Sequence, residues 1–368
     1  MYIKVQCTVG LSRNGVKEPQ AMDEFSRISY WTKEGQAKSL LEATGVKLAI
    51  GDDAAIVSGA VRQDEGCSYE MLYTVDTMVE DIHFNTQTMQ LDHIGYKALA
   101  SNLSDIAAMG GIALHALIAI SVPGHYTEEH IKQIYHGIYQ CANQYEVAIV
   151  GGDTTASPHS LVLTITVIGQ VEAGTALRRS GAKPGDLIVT TGIAGRSAAG
   201  LHLLLHPEFE PQLAAKHVQS LKQAHQMPQP QLDQGRLLRS LGGCHALNDV
   251  SDGLASEAVE IAEASGVAFV LDEQLLPVSE GLSQYGSCTK QSLLDWMLYG
   301  GEDYILLGTI DPQCYEQVKE QFAQRHMQIY AIGKVEPGKG EVWLERMDSR
   351  MAHKQRERIY KRGYNHFT

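Results

Sequence analysis

The sequence predicts an α/β (α+β) protein of two domains, and three observations carry that prediction. At 368 residues the chain exceeds what one hydrophobic core usually serves. Helix-length and strand-length apolar patterns follow one another along it from about residue 39. Near the middle, "RRSGAKPGDLIVTTG" (178–192) sets Gly181, Pro184 and Gly185 ahead of an apolar run, which is the turn chemistry of a fresh start. The division expected is an N-terminal domain over 25–173 and a C-terminal domain over 174–368. Residues 1–24 read as an extension, with Met22 as a candidate natural start.

In order, an amphipathic segment over 39–51 leads into "AIGDDAAIV", a strand interrupted by an acidic turn. The polar residues 58–70 suit a hairpin connection into "MLYTVDTMV", whose β-branched and aromatic content favours a strand. Over 91–111, Ile94, Ala98, Leu99, Leu103, Ile106 and Ala107 recur at helical spacing, and Gly110-Gly111 is the stop. Asn102 and Asp105, three apart, share a helix face, and Lys97 on that helix is expected to be solvated. A strand "ALIAISV" follows, then a helix over 127–145 with Thr127 as N-cap and two acids in its first turn. "VAIVGGDTT" and "LVLTITVIGQV" are strands. The second half repeats the order loosely: a strand, helices over 194–241, "HALNDVSDGLASEA" opening a helix over 254–265, a strand "VAFVL", and "GGEDYILLGTI".

Composition narrows the function. Thirty basic against 43 acidic residues give a net charge of −13, which disfavours nucleic-acid and anionic-membrane partners, since both reward a basic surface. No run approaches the roughly 18 apolar residues of a membrane span. Cys7, Cys67, Cys141, Cys244, Cys288 and Cys314 are scattered without zinc spacing, which reads as reduced thiols in a cytoplasmic protein.

Acids recur where strands end or helices begin: Asp52-Asp53, Asp76, Asp105, Asp153, Asp249 with Asp252, and Glu302-Asp303. Several stand beside glycine, which lets backbone approach a ligand closely and bares amides that can cradle phosphate oxygens. One such dipeptide is an ordinary turn, and Asp252 could simply cap a helix. Grouped carboxylates, by contrast, repel one another and are driven toward protonation unless cations lie between them. Mg²⁺ meets that need, taking a few carboxylates and completing its shell with water and phosphate. No G-x-x-x-x-G-K-[ST] loop and no protein-kinase signature occurs, so a nucleotide site here would be of another type.

Seven stretches, "GDDAAIV" (51–57), "TVDTMVEDIHF" (74–84), "HIGYKALASNLSDIAAMGG" (93–111), "VGGDTTAS" (150–157), "RRSGAKPGDLIVTTG" (178–192), "NDVSDGLASE" (248–257) and "GGEDYILL" (300–307), together resemble the thiamine-monophosphate kinase family. That family belongs to the superfamily of aminoimidazole ribonucleotide synthetase and selenophosphate synthetase. The resemblance implies an aminoimidazole-ribonucleotide-synthetase-like fold, with the N-terminal domain forming a barrel across a homodimer. It implies ATP as co-substrate, thiamine monophosphate as acceptor and several Mg²⁺ ions, in the last step of thiamine diphosphate formation. Carried over residue by residue, Asp52, Thr74, Asp76, Asp105, Asp153, Asp249 and Asp252 would hold metal. Gly152, Asp153, Arg179 and Ser251 would contact nucleotide, and His83, Glu302 and Tyr364 would bind thiamine phosphate. The registers Asp52 against Asp53 and Arg178 against Arg179 stay open. Because the acceptor is already a phosphate anion, direct in-line transfer without a covalent nucleophile is expected. Gln231 stands where an arginine is common, and Gly111-Ile112-Ala113-Leu114 lacks the usual proline.

Overall fold

The computed structural model describes residues 46–48, 52–58, 68–347 and 354–362. Tyr364 and residues 1–24 lie outside these. The first sheet has the order β1-β2-β3-β6-β4-β5, from β1 (Val46–Leu48), β2 (Ala55–Ser58), β3 (Tyr69–Val79), β4 (Ile112–Pro123), β5 (Ala148–Ser157) and β6 (Val162–Glu172). Its spine is the antiparallel β3/β6 pair, in register from Tyr69↔Glu172 to Val79↔Val162. Only β4 and β5 run parallel, joined across α2 (Glu128–Gln144), whose N-cap Thr127 accepts the His130 amide at 3.3 Å.

The second sheet has the order β13-β12-β9-β11-β7-β10-β8. It comprises β7 (Leu187–Thr190), β8 (Cys244–Asp249), β9 (Val267–Asp272), β10 (Leu306–Ile310), β11 (Tyr330–Pro337), β12 (Val342–Met347) and β13 (Lys354–Ile359). Around it lie α3 (Arg196–Leu205), α4 (Ala215–Gln226), α5 (Leu232–Leu241), α6 (Leu254–Ser265), α7 (Glu280–Thr289), α8 (Leu293–Tyr299) and α9 (Pro312–Gln324).

The helix that positions the site is α1 (Leu91–Ala108). It is buried on nearly every side, from Ile94 to Ala108. Its apolar face packs on the first sheet through Ile94, Leu99, Leu103 and Ile106. Its C-terminal Ala107 and Ala108 pack against Val189, Leu237, Leu247 and Leu306 of the second unit. A helix enclosed in this way has no solvent face, so its polar residues must find partners inside the protein. Lys97 illustrates the point: it is fully buried, contrary to the solvated position expected from sequence.

Candidate active site

The polar residues of α1 form one stripe, Lys97, Ser101, Ser104 and Asp105, at i, i+4, i+7 and i+8. Each meets a different part of the chain. Ser101, whose hydroxyl donates to the Ala98 carbonyl at 3.2 Å, lies close enough to Asp76 to offset part of the rise that burial gives that carboxyl's pKa. The Ser104 hydroxyl donates to Asp249 Oδ2 at 2.6 Å, and Asp105 Oδ2 accepts from Thr74. Lys97 Nζ lies 2.7 Å from Glu302 Oε2. Beside the stripe, Asn102 Oδ1 accepts the Asp76 amide at 3.0 Å. Strand geometry explains the other half of these contacts: on β3, Leu72, Thr74, Asp76 and Met78 alternate toward α1 while Tyr73 and Val75 face outward.

Asp53 in the β1–β2 loop, Asp105 on α1 and Asp249 at the end of β8 bring carboxylate oxygens within 4.8 Å of one another. Burial raises all three pKa values, that of Asp249 to about 6, and mutual repulsion adds to the rise for Asp53 and Asp105. Asp53 Oδ2 is buried with no hydrogen-bond partner among the described residues. An all-oxygen set with an orphaned lone pair and crowded charge fits a hard divalent cation such as Mg²⁺.

Arg179 reaches this cluster from the segment between β6 and β7. Its guanidinium contacts Asp53, Asn248 at 3.1 Å and Glu260 at 2.7 Å, while its amide donates to Asp52 Oδ2 at 3.3 Å. Asp52 is thus occupied with backbone, and Asp53 is the residue grouped with Asp105 and Asp249. Of the two arginines, Arg179 enters the site; the Arg178 carbonyl accepts the Leu247 amide.

The loop after β8 carries Asp249, Ser251 and Asp252 and is organised by Glu257 on α6. That carboxylate accepts from Asn248 Nδ2 at 2.5 Å, the Asp252 amide at 3.0 Å and the Ser251 hydroxyl at 3.4 Å. Residues 300–304 fold onto the same loop. The Glu302 amide donates to the Ser251 carbonyl at 2.6 Å and the Tyr304 amide to Val250 at 2.9 Å. A Cβ on Gly301 would meet the Ser251 carbonyl oxygen at 2.6 Å, so only glycine allows the contact. Glu302 and Tyr304 adopt φ of 64° and 50°, backbone that side chains rarely take and that functional sites often hold. Burial and the nearby carboxylates of Glu302, Asp76, Asp249 and Asp252 raise the Tyr304 pKa well above its usual value.

The remaining expected residues are placed as follows. His83 follows β3, its Nδ1 accepting the Val79 amide at 3.0 Å. Gly152 and Asp153 lie on the exposed strand β5, opposite Ile118 and Ala119 of β4, apart from the three grouped carboxylates. Sequence reasoning passed over Lys97, Ser104, Asn248, Glu257, Glu260 and Tyr304. The signal for the two glutamates was present: both stand on α6 among buried residues such as Ala258 and Ile261.

Residues 51–171 match the AIR synthase related protein N-terminal domain, and residues 183–344 the C-terminal domain. The thiamine-monophosphate kinase of Bacillus subtilis (strain 168) is 42% identical over 347 residues, covering 94% of this chain and 100% of that protein. This chain belongs to the thiamine-monophosphate kinase family. A solved structure described as AaThiL complexed with AMPPCP and TMP matches with a TM-score of 0.77 at 28% identity, over 96% of this chain and 100% of that one. The thiamine-monophosphate kinase of Stenotrophomonas maltophilia K279a matches with a TM-score of 0.68 at 32% identity, over 83% and 92%. The two domain matches leave between them the stretch 172–182, which carries Arg179.

Proposed function

We propose that this chain transfers the γ-phosphoryl group of ATP to the phosphate of thiamine monophosphate, giving thiamine diphosphate and ADP. The observation that carries the reading is the close-set Asp53, Asp105 and Asp249 group with its buried, orphaned oxygen, in a chain of this family. Asp53 or Asp52, Thr74, Asp76, Asp105, Asp249 and Asp252 would hold Mg²⁺. When bound, the ions screen the repulsion between the two phosphate groups and stabilise charge developing during transfer.

The chain's own residues do the positioning. Ser104 and Thr74 orient two of the carboxylates, and Glu257 orders the loop bearing Ser251 and Asp252. Arg179, whose burial is outweighed by the attraction of Asp53, Glu260 and Glu257, keeps its charge and can turn toward nucleotide phosphate. His83 and Glu302, with Tyr364, would receive the acceptor. The phosphate acceptor needs no strong base, and transfer is direct.

A homodimer suits the outward side of the first sheet, where Tyr73, Val75, Leu117 and Val150 are exposed together. On that reading Gly152 and Asp153 on β5 join the site at the subunit boundary, and the barrel forms across the dimer from two domains divided near residue 173. Among the described residues no helix is long and apolar enough to cross a membrane. The free thiols Cys141, Cys244, Cys288 and Cys314 suit a reducing cytoplasmic setting.

The test is ADP release with Mg²⁺ and ATP, comparing thiamine monophosphate, thiamine and no acceptor, with product identified by chromatography. ADP and thiamine diphosphate formed with the monophosphate alone are expected. Folded protein that binds ATP yet makes neither would overturn the reading.

A further inference from the structure

We infer that Lys97 is a positioning residue for the acceptor, acting through Glu302. The inference rests on the proposed role of Glu302 as an acceptor contact. Lys97 is fully buried, and its ammonium lies 2.7 Å from Glu302 Oε2. Beyond this ion pair, no hydrogen-bond acceptor is assigned to Nζ among the described residues. An ammonium enclosed on those terms is tolerated for its partner's sake, since a buried charge without one is strongly destabilising.

The partner is unusual in its own right. Glu302 is held at positive φ on a loop pinned to Ser251. Its carboxylate is 29% exposed, so one side faces Lys97 and the other is open. The groups facing it come from three elements: Lys97 on α1, His225 Nδ1 on α4 at 3.5 Å, and His83 after β3. Burial and the Lys97 charge lower the His225 pKa to about 3, so that ring is neutral near pH 7. Burial favours the neutral form of Glu302, but the charge of Lys97 and its hydrogen bond outweigh it and the pKa is lowered. The open side is therefore an anion. It repels a phosphate and attracts the cationic thiazolium or the amino group of the acceptor's organic end.

Helix geometry then gives the pair its use. Lys97 and Asp105 are eight residues apart on α1, about 12 Å along the axis. One rigid rod, buried between both sheets, fixes the separation between the carboxylates that face phosphate and the carboxylate that faces the rings. A small shift of Glu302 would spoil acceptor alignment while leaving the nucleotide end untouched.

The experiment measures steady-state kinetics of wild type, Lys97→Met, Glu302→Gln and the double variant, with thermal melts as a folding control. Each single variant is expected to raise KM for thiamine monophosphate roughly tenfold to a hundredfold. KM for ATP should stay within about twofold, and the double variant should match Glu302→Gln, because the two residues act as one. If Lys97→Met fails to fold, comparing the double variant, which removes both charges, with Glu302→Gln still decides. An effect of Glu302→Gln without one of Lys97→Met, or a double variant worse by the product of the two, overturns the inference and leaves the acceptor contact standing. No effect of Glu302→Gln on KM removes the contact itself, and this inference with it.

Discussion

At the scale of single residues, the site is a set of carboxylates in mutual conflict. Asp105 is the clearest case: burial, then Asp76, Asp249 and Asp53, raise its pKa well above the usual value. Asp105→Asn removes one repelled charge and, on the proposed reading, one oxygen offered to the metal, while keeping an acceptor for Thr74. Turnover should fall by at least about a hundredfold. In chelator the variant should melt no lower than wild type, and added Mg²⁺ should raise its melting temperature less than that of wild type. Near-normal turnover would take Asp105 out of the site. Asp303 gives a separate, metal-independent signature. Its carboxylate accepts the Gly195 and Ser197 amides at 2.5 and 2.9 Å at the start of α3, and burial raises its pKa to about 7. The folded state thus holds a proton that the unfolded state releases at its ordinary 3.8. The resulting stability is complete below that value and is lost as pH rises through about 7. Asp303→Asn should flatten urea-measured stability between pH 5 and 8; an unchanged slope would assign the dependence elsewhere.

At the scale of elements, α1 depends on a close approach by α2. A Cβ at Gly137 would lie 1.7 Å from the Asp92 carbonyl oxygen, a backbone atom that cannot turn aside. Gly137→Ala should therefore push the helices apart and cost about 1–3 kcal/mol. Gly124→Ala, where nothing lies within 4 Å, is the control and should leave the melt unchanged. Equal melts for both would mean that α2 yields freely. This packing also shows what sequence could convey. The periodicity of 91–111 and the stop at Gly110-Gly111 located α1, and β-branched and aromatic content located β3, while Thr74 entered only through the family resemblance. Lys97 escaped because the pattern of one segment shows that a helix is apolar, while its burial depends on a second sheet closing over it from residues 187–310. Asp52 and Asp53 could not be separated for a similar reason: neighbours in a loop differ by which way the chain turns, and here the Arg179 amide engages Asp52 while Asp53 groups with Asp105 and Asp249. The segment between β9 and Gly300 read as no element because α7 and α8 are short, ten and seven residues.

At the scale of the whole molecule, the site exists only while the two sheets hold α1 between them. Part of that hold is apolar, through Ala107, Ala108, Leu237, Leu247 and Leu306. Part is an ionic clamp outside the group of Asp53, Asp105 and Asp249. Glu172, the last residue of β6, receives both guanidinium arms of Arg236 on α5 at 2.9 Å, and Arg239 adds a third bond at 3.1 Å. Arg236 also donates to the Gly110 carbonyl at 3.0 Å, just past the end of α1, so the clamp ties strand, helix and second unit at one point. A two-pronged guanidinium–carboxylate pair is among the stronger polar contacts, though its partial exposure limits the gain. Hydrogen bonding from Arg236, against a smaller opposing effect of burial, lowers the Glu172 pKa to about 2. A depressed carboxylate stabilises the fold above its ordinary 4.5, and that contribution is lost as pH falls through about 2. Glu172→Gln should then cost about 1 kcal/mol at pH 7, with the difference from wild type narrowing as pH drops from 4.5 toward 2. Turnover should fall less than in Asp105→Asn, since no metal oxygen is lost. Denaturant melts across that range check the prediction, and a penalty that stays constant with pH would show that the clamp works through shape rather than charge.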